Sequence, residues 1–259
     1  MEKMRGYGFS ETILGWVRAF LSDRKHRVCV NGSYSSWAEV SSGIPQGSVY
    51  GPVLFLLYIN DITEVINNNI YLFADDTKIY SQITETNPPS TLQEDLNNLE
   101  KWSKTWLLLF HPDKCKIMHL GNRNEDPYQY YLDNIPLDHT DLENDLGINF
   151  DSKLRFSTHI DKIAKKANTI MGVVRRSFKC LDEDTFKKLY KGVVRPHLEY
   201  GVQIWNPNLK KDIVKLEGVQ RRATKQVNKF QDMDYKERLE KLKLPTLIYR
   251  RLWGDMIEV

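Results

Sequence analysis

Asn69-Ile70-Tyr71-Leu72-Phe73-Ala74-Asp75-Asp76-Thr77-Lys78-Ile79-Tyr80 sets two adjacent acids between two β-prone runs. β-Branched and aromatic residues fill both arms, and aspartate at the bend is ordinary turn chemistry because its short side chain bonds nearby backbone. The stretch therefore reads as a strand, a tight acidic turn and a returning strand. By itself it establishes a hairpin and nothing more, so its meaning depends on what surrounds it.

The net charge of +3 conceals a split along the chain. Residues 151–259 carry 25 Lys+Arg against 14 Asp+Glu, a net of +11, whereas residues 1–150 carry 12 against 20, a net of −8. Such asymmetry points to an acidic or metal-binding half and a half that meets a polyanion. At 259 residues the chain can form one large domain or two modest ones. Three scattered cysteines, Cys29, Cys115 and Cys180, make no disulfide framework and suit a reducing compartment. No signal peptide opens the sequence, and the longest apolar run, Val53 to Ile59, is far short of the roughly 20 residues of a membrane span. The expectation is a soluble intracellular protein, in nucleus or cytoplasm, with no membrane partner.

Upstream of the hairpin, Ile13, Leu14, Trp16, Val17, Phe20 and Leu21 recur at helical spacing behind Ser10 as N-cap. Asn31-Gly32 between extended runs predicts a second hairpin, its returning strand completed around Trp37 to Val40. The loop Ser42-Gly43-Ile44-Pro45-Gln46-Gly47-Ser48 then feeds an apolar segment from Val53 to Ile59, which predicts a helix buried on all sides, with Ser48 as cap and Pro52 in its first turn.

Downstream, Pro88-Pro89 breaks the chain and Ser90-x-x-Gln93 offers a capping box for a helix carrying Leu92, Leu96, Leu99 and Trp106. Leu107 to Phe110 and Lys116 to Gly121 read as a pair of strands, with a short hairpin around Asp133-Asn134 beyond them. After Leu146–Phe150 the pattern is helical only. Thr158-x-x-Asp161 can cap a helix through Val174, a second runs from about Asp184 to Tyr200 with Pro196 kinking or splitting it, and a third carries Leu216 and Ala223. The domain boundary is placed at Asp151, between an α+β domain (1–150) and a basic helical domain (151–259). One further constellation is weighed: His111, Cys115 and His119 stand at four-residue intervals that would face one metal ion on a helix, but Pro112 opposes the helix and a strand would spread them too far.

Together, Gly43 to Phe55 with its Pro-Gln-Gly-Ser core, Phe73-Ala74-Asp75-Asp76 and Trp106 to Lys116 resemble the reverse transcriptases of non-LTR (LINE-type, jockey-like) retrotransposons. The resemblance continues through Leu146-Gly147-Ile148, Phe156 to Ile160, Arg195 to Gly201 and Val219 to Lys225, spanning nearly the whole chain. It implies an α+β partial polymerase palm of antiparallel strands with packed helices, followed by an all-helical thumb. The implied activity is RNA-directed DNA synthesis, a Mg²⁺- or Mn²⁺-dependent nucleotidyl transfer to a primer 3′-hydroxyl. Its partners are an RNA template, a DNA primer and deoxynucleoside triphosphates.

By the same resemblance Asp75 and Asp76 are the catalytic metal ligands, and Pro45, Gln46, Gly47 and Ser48 contact nucleotide and template. Lys116, Met118 and Gly121 contact the primer end, while Lys162, Lys165, Lys166, Arg176, Lys211, Lys215, Arg221, Arg222 and Lys225 hold the nucleic-acid backbone. The family draws a further metal-binding aspartate from a strand preceding the helix that opens this chain, and its Lys-x-x-x-Tyr-Gly-Phe context appears here as Lys3 to Phe9, directly after Met1. Neither Asp23 nor Asp61 stands at that position. The expectation is a fragment, lacking fingers and that strand, that is weakly active or inactive. The alternative is a non-catalytic RNA- or DNA-binding remnant that uses its basic helical domain.

Overall fold

The computed structural model describes residues 1–84, 87–121, 128–178 and 180–257. In order along the first part of the chain come α1 (Glu2–Gly6), α2 (Glu11–Leu21), β1 (Lys25–His26), β2 (Cys29–Val30), β3 (Ser33–Tyr34), β4 (Ala38–Glu39), α3 (Tyr50–Ile59), β5 (Asn69–Phe73), β6 (Asp76–Tyr80) and α4 (Pro89–Trp106). There follow β7 (Lys116–Ile117), β8 (Tyr131–Leu132), β9 (Ile135–Pro136), β10 (Asp138–His139), β11 (Leu142–Asp145) and β12 (Ile148–Asp151). The remainder is helical: α5 (Ser157–Ser177), α6 (Glu183–Leu189), α7 (Pro196–Glu199), α8 (Val202–Trp205), α9 (Lys210–Thr224), α10 (Tyr235–Leu242) and α11 (Leu247–Ile257). This is an α+β architecture of helices and small two-stranded ladders, antiparallel except for the parallel pair of β7 with β10.

The chain divides into two compact units, Met1–Cys115 with Tyr128–Leu137, and Lys116–Pro127 with Asp138–Val259. In the first, α1 and α2 bury Met4, Leu14 and Val17 against Leu54 and Leu57 of α3. A second cluster joins Ile59, Ile62 and Ile66 to Leu99 and Trp102 of α4, and the inward residues Ile70, Leu72 and Ile79 of the β5–β6 hairpin lie on it. Between these clusters sits a charge. The Lys3 ammonium bonds the Asp61 carboxylate (2.5 Å) and the Tyr58 carbonyl (2.6 Å), and lies 4.9, 4.5 and 3.9 Å from the ring centres of Tyr58, Trp102 and Trp106. Trp102 Nε1 also donates to Asp61 (3.1 Å), so three helices and the turn after α3 meet at one ion pair.

Several local expectations are revised. α3 is not buried all round: Val53 and Leu56 are exposed, because no described residue covers that side. The strand from Ala38 pairs with β1, while β2 closes its Asn31-Gly32 turn on β3, so residues 24–40 form a ribbon with two ladders in place of one hairpin. Ser90 and Gln93 make no capping box. Two prolines start α4 with a preset φ, and Gln93 instead holds the β8–β9 hairpin through the Tyr131 backbone (2.8 and 2.9 Å). Leu107 turns left-handed (φ 55°) and ends α4, so Leu107–Phe110 is not a strand, and only Lys116–Ile117 of the following stretch pairs, with β10. Thr158 caps nothing: Asp151 accepts the backbone N–H groups of Lys153, Arg155 and Phe156 ahead of α5. Among the described residues no His, Cys, Asp or Glu group could hold a metal ion with three ligands, and Pro112–Lys114 is a 3₁₀ turn, which disposes of the His111/Cys115/His119 helix.

The second unit has one core, from Ile160 through Trp205 and Leu216 to Leu247. Pro196 splits its second helix as expected. Lacking an N–H, and with a ring that crowds the preceding turn, it follows a π-turn at Tyr190–Val194 closed by the bond from Arg195 N–H to the Tyr190 carbonyl (2.8 Å). Helices α5 and α9 run side by side in the same direction. Asp161 pairs with Lys215 and Asn168 accepts from Arg222, contacts seven residues apart on both helices. His159 anchors β12 to α5, its Nδ1 accepting the Asn149 N–H (3.2 Å) beside Trp205. Its proton is therefore on Nε2, buried without an acceptor among the described residues.

No helix of the described residues is long and apolar enough to cross a membrane.

Two outcomes are expected. Lys3→Ala leaves Asp61 half-buried without its cation and strips three rings of theirs, and should cost the first unit about 3 kcal/mol, read from the urea midpoint. Burial, then the Lys162 ammonium, holds the His159 pKa below its ordinary 6.5. Below that pH the unfolded chain takes up a proton that the folded chain declines, so stability present above pH 6.5 falls as the pH drops. Chemical denaturation between pH 7 and 5 should show that slope, and His159→Asn, which keeps an acceptor toward Asn149, should flatten it.

Candidate active site

The acidic turn is built by strand register. In the β5–β6 ladder Phe73 pairs with Asp76, Leu72 with Thr77, Tyr71 with Lys78 and Ile70 with Ile79, leaving Ala74 and Asp75 as a two-residue loop. Ala74 has φ 52° and Asp75 no positive φ, so the bend is taken up at Ala74, the first residue of the loop. Alternation sends Ile70, Leu72 and Ile79 into the core and leaves Tyr71, Phe73, Asp76, Lys78 and Tyr80 on the exposed face, where the rings of Tyr71 and Tyr80 stack with centres 5.5 Å apart. Asp75 and Asp76 are both exposed, and neither carboxylate has a hydrogen-bond or ion-pair partner among the described residues. Two free carboxylates at consecutive positions are hard oxygen donors, which fits a cation such as Mg²⁺.

The second component is the loop before α3. Gly43 and Gly47 take φ 79° and 77°, conformations that favour glycine. Ser48 Oγ donates to the Pro45 carbonyl (2.8 Å) and accepts the Gly51 N–H (3.0 Å), folding Pro45 to Ser48 back on the first turn of α3 as the cap expected of Ser48. An added Cβ on Gly51 would lie 3.0 Å from Ser48 Oγ and 3.2 Å from the Pro45 oxygen, so a side chain here would crowd this closure. Gln46 and Gly47 stand exposed at the tip. One residue that the sequence reading passed over positions this loop: Arg24 donates to the carbonyls of Leu21 (2.9 Å), Ser42 (3.4 Å) and Gly43 (2.6 Å). An arginine whose partners are all backbone carbonyls leaves no pattern in sequence.

The turn and the loop share the first unit, whereas the other candidates lie in the second. There Lys116 is paired with Asp138 (2.6 Å), Met118 is half-buried, and Gly121 (φ 107°) donates its N–H to the Ser152 carbonyl (3.2 Å). Of the basic residues, Lys165, Arg176 and Lys215 line an open groove of about 660 Å³ along α5 and α9, with Asp161, Asn168 and Thr169. Lys162 bonds Asn149 (3.0 Å), Arg222 bonds Asn168, and Arg221 stacks over Tyr235 at 5.0 Å. Lys166, Lys211 and Lys225 are exposed.

A hairpin offering adjacent free carboxylates and a glycine-bent loop share one unit of an α+β chain whose other unit is basic and helical, the parts expected of a nucleic-acid polymerase. The family model for reverse transcriptase (RNA-dependent DNA polymerase) matches residues 1–174, and the chain belongs to that family. Several of its relatives come from mobile elements. It is 28% identical over 226 residues to the RNA-directed DNA polymerase from mobile element jockey of Drosophila melanogaster, covering 82% of this chain and 24% of that protein. It is 25% identical over 222 residues to the probable RNA-directed DNA polymerase from transposon X-element of the same fly, again covering 82% and 24%. The jockey protein of Drosophila funebris matches at 25% over 224 residues, with the same coverage. The chain thus spans about a quarter of the length of these relatives.

Ala74 holds a left-handed conformation that costs a non-glycine residue about 1–2 kcal/mol. Ala74→Gly should therefore raise the unfolding free energy by about 0.5–1 kcal/mol after the added chain entropy of glycine, measurable as a higher urea midpoint.

Proposed function

We propose that this chain carries part of the palm (1–150) and the thumb (151–259) of an RNA-directed DNA polymerase. The observation that supports it best is the two-residue hairpin turn offering the unpartnered carboxylates of Asp75 and Asp76 in the same unit as the Pro45–Ser48 loop. Asp75 and Asp76 would hold the divalent cation, Mg²⁺ or Mn²⁺. When bound, that cation favours ionisation of the primer 3′-hydroxyl and neutralises charge on the departing pyrophosphate. The chain's own residues do the positioning. Gln46 and Gly47 lie along the nascent base pair, where a glycine with no Cβ lets backbone approach closely, and Pro45 and Ser48 fix the loop that presents them. Lys116, Met118 and Gly121 hold the primer end.

The groove residues Lys165, Arg176 and Lys215, with Lys162, Lys166, Lys211, Arg221, Arg222 and Lys225 around them, neutralise phosphates of the RNA–DNA duplex. That contact is salt-sensitive and nearly indifferent to sequence. Deoxynucleoside triphosphates are the second substrate.

A second reading, duplex binding with little or no synthesis by this chain alone, is favoured by the donor count. Two adjacent carboxylates on one turn supply few of the oxygens that two cations take, and the described residues bring no third His, Cys, Asp or Glu to them.

Primer extension on an RNA template in Mg²⁺ or Mn²⁺, run beside duplex-binding titrations, separates the two. On the first reading the chain extends the primer, and Asp75→Asn lowers the rate by more than about 100-fold while duplex affinity holds. Extension that survives Asp75→Asn removes that residue from the mechanism. Salt-sensitive duplex binding with no extension in either metal supports the second reading, and absence of duplex binding overturns both.

A further inference from the structure

The ribbon of residues 24–40 is used by none of the chemistry above. Within the acidic half of the chain it is a basic island: residues 24–38 include Arg24, Lys25, His26 and Arg27 and not one aspartate or glutamate. All four of its strands are exposed, so the ribbon stands out from the core. It is nevertheless ordered by its own bonds. The Asn31-Gly32 turn has φ 50° and 83°, Ser35 N–H donates to the Val28 carbonyl (3.0 Å) while Val28 N–H donates to Ser35 Oγ (3.0 Å), and Val40 N–H reaches the Arg24 carbonyl (2.9 Å).

At its centre the Arg27 guanidinium lies 3.9 Å from the ring centre of Tyr34 and 4.5 Å from that of Trp37. Its N–H donors have no hydrogen-bond or ion-pair partner among the described residues, and both rings remain 60% exposed. An arginine held against two aromatic rings has already given up much of its rotamer freedom while its donors stay unspent. Exposed rings beside unspent cationic donors are the elements with which proteins hold unpaired nucleic acid, rings for base faces and cations for phosphates. The ribbon also continues directly into the candidate site, because β4 leads to Ser42 and Gly43, whose carbonyls Arg24 holds.

We infer that this ribbon is a binding site for a single-stranded stretch of nucleic acid. A base stacks on the free face of Trp37 or Tyr34, and Arg27 and Lys25 take the adjoining phosphates. The inference rests on the polymerase reading only for the identity of the strand, which would be template still unpaired outside the active site. An acidic peptide would meet the same cations but has no planar bases for the rings. Glu39, directly cross-strand from Lys25, is the one acid in the strands, and Arg27 has no such partner among the described residues.

The test is fluorescence anisotropy of a labelled oligouridylate of about 20 nucleotides, with an RNA–DNA duplex of similar length as comparator, on the intact chain. Trp37→Ala and Arg27→Ala should each weaken oligouridylate binding about tenfold and leave duplex affinity within about twofold. Arg27→Lys should keep the salt dependence and lose affinity, because it retains the charge without the planar stack. Unchanged affinity of both alanine variants for the single strand, with duplex binding intact, overturns this inference and leaves the polymerase reading standing; failure of the unmodified chain to bind duplex overturns that reading instead. Displacement of the oligonucleotide by polyglutamate of equal charge, as readily as by unlabelled RNA, overturns the assignment to nucleic acid. Should a variant unfold, photocross-linking of 4-thiouridine RNA to the unmodified chain decides: adducts on Tyr34 or Trp37 support the site, and adducts confined outside residues 24–40 overturn it.

Discussion

The first unit depends on a lysine placed where lysines are seldom found. Lys3 carries its ammonium into a box made by Tyr58, Trp102 and Trp106 and meets Asp61 inside it, with only 7% of its side chain exposed. A bare ammonium there would be prohibitively costly to desolvate, and the carboxylate, the Tyr58 carbonyl and three ring faces together offset that cost. Because the partners belong to α3, the turn after it and α4, the ion pair fixes those elements to the short helix that bears Lys3. The β5–β6 hairpin packs on the same cluster that holds Trp102 and Trp106, so the position of the acidic turn is inherited from this contact.

The legible parts of the fold were those where one residue type has one physical use. Asn31-Gly32 and Asp133-Asn134 both close hairpins with positive φ, since few other residues tolerate those angles, and Pro196 interrupts its helix because it has no N–H to give. The acidic turn was legible for the same reason, with β-prone arms on either side of a bend. Capping boxes failed at Ser90 and Thr158 because a cap is a local option with competitors. Gln93 found a better partner in the Tyr131 backbone, and Asp151 had already taken the amides ahead of α5. α3 was misread for a different reason: composition reports what a helix could bury, while exposure depends on what lies against it.

The candidate site was legible as motifs and opaque as mechanics. Asp75, Asp76 and the Pro45–Ser48 loop could be named from residue type and order. Their supports could not, since Lys3, Arg24 and Asp61 each reach a partner 18 or more residues away in sequence. In the second unit the basic residues were likewise visible as a charge excess. Their division into groove-lining and internally paired groups came only from the parallel packing of α5 on α9.

Arg24 shows what kind of restraint the glycine-bent loop lives under. A guanidinium presents its donors in a rigid plane, and its acceptors here are all backbone carbonyls. The tether therefore joins the end of α2 to the loop through main-chain acceptors alone. A substitution at Leu21, Ser42 or Gly43 that keeps the backbone path therefore keeps the anchor, so the restraint on the loop depends on the course of the chain and not on the identity of the side chains it joins.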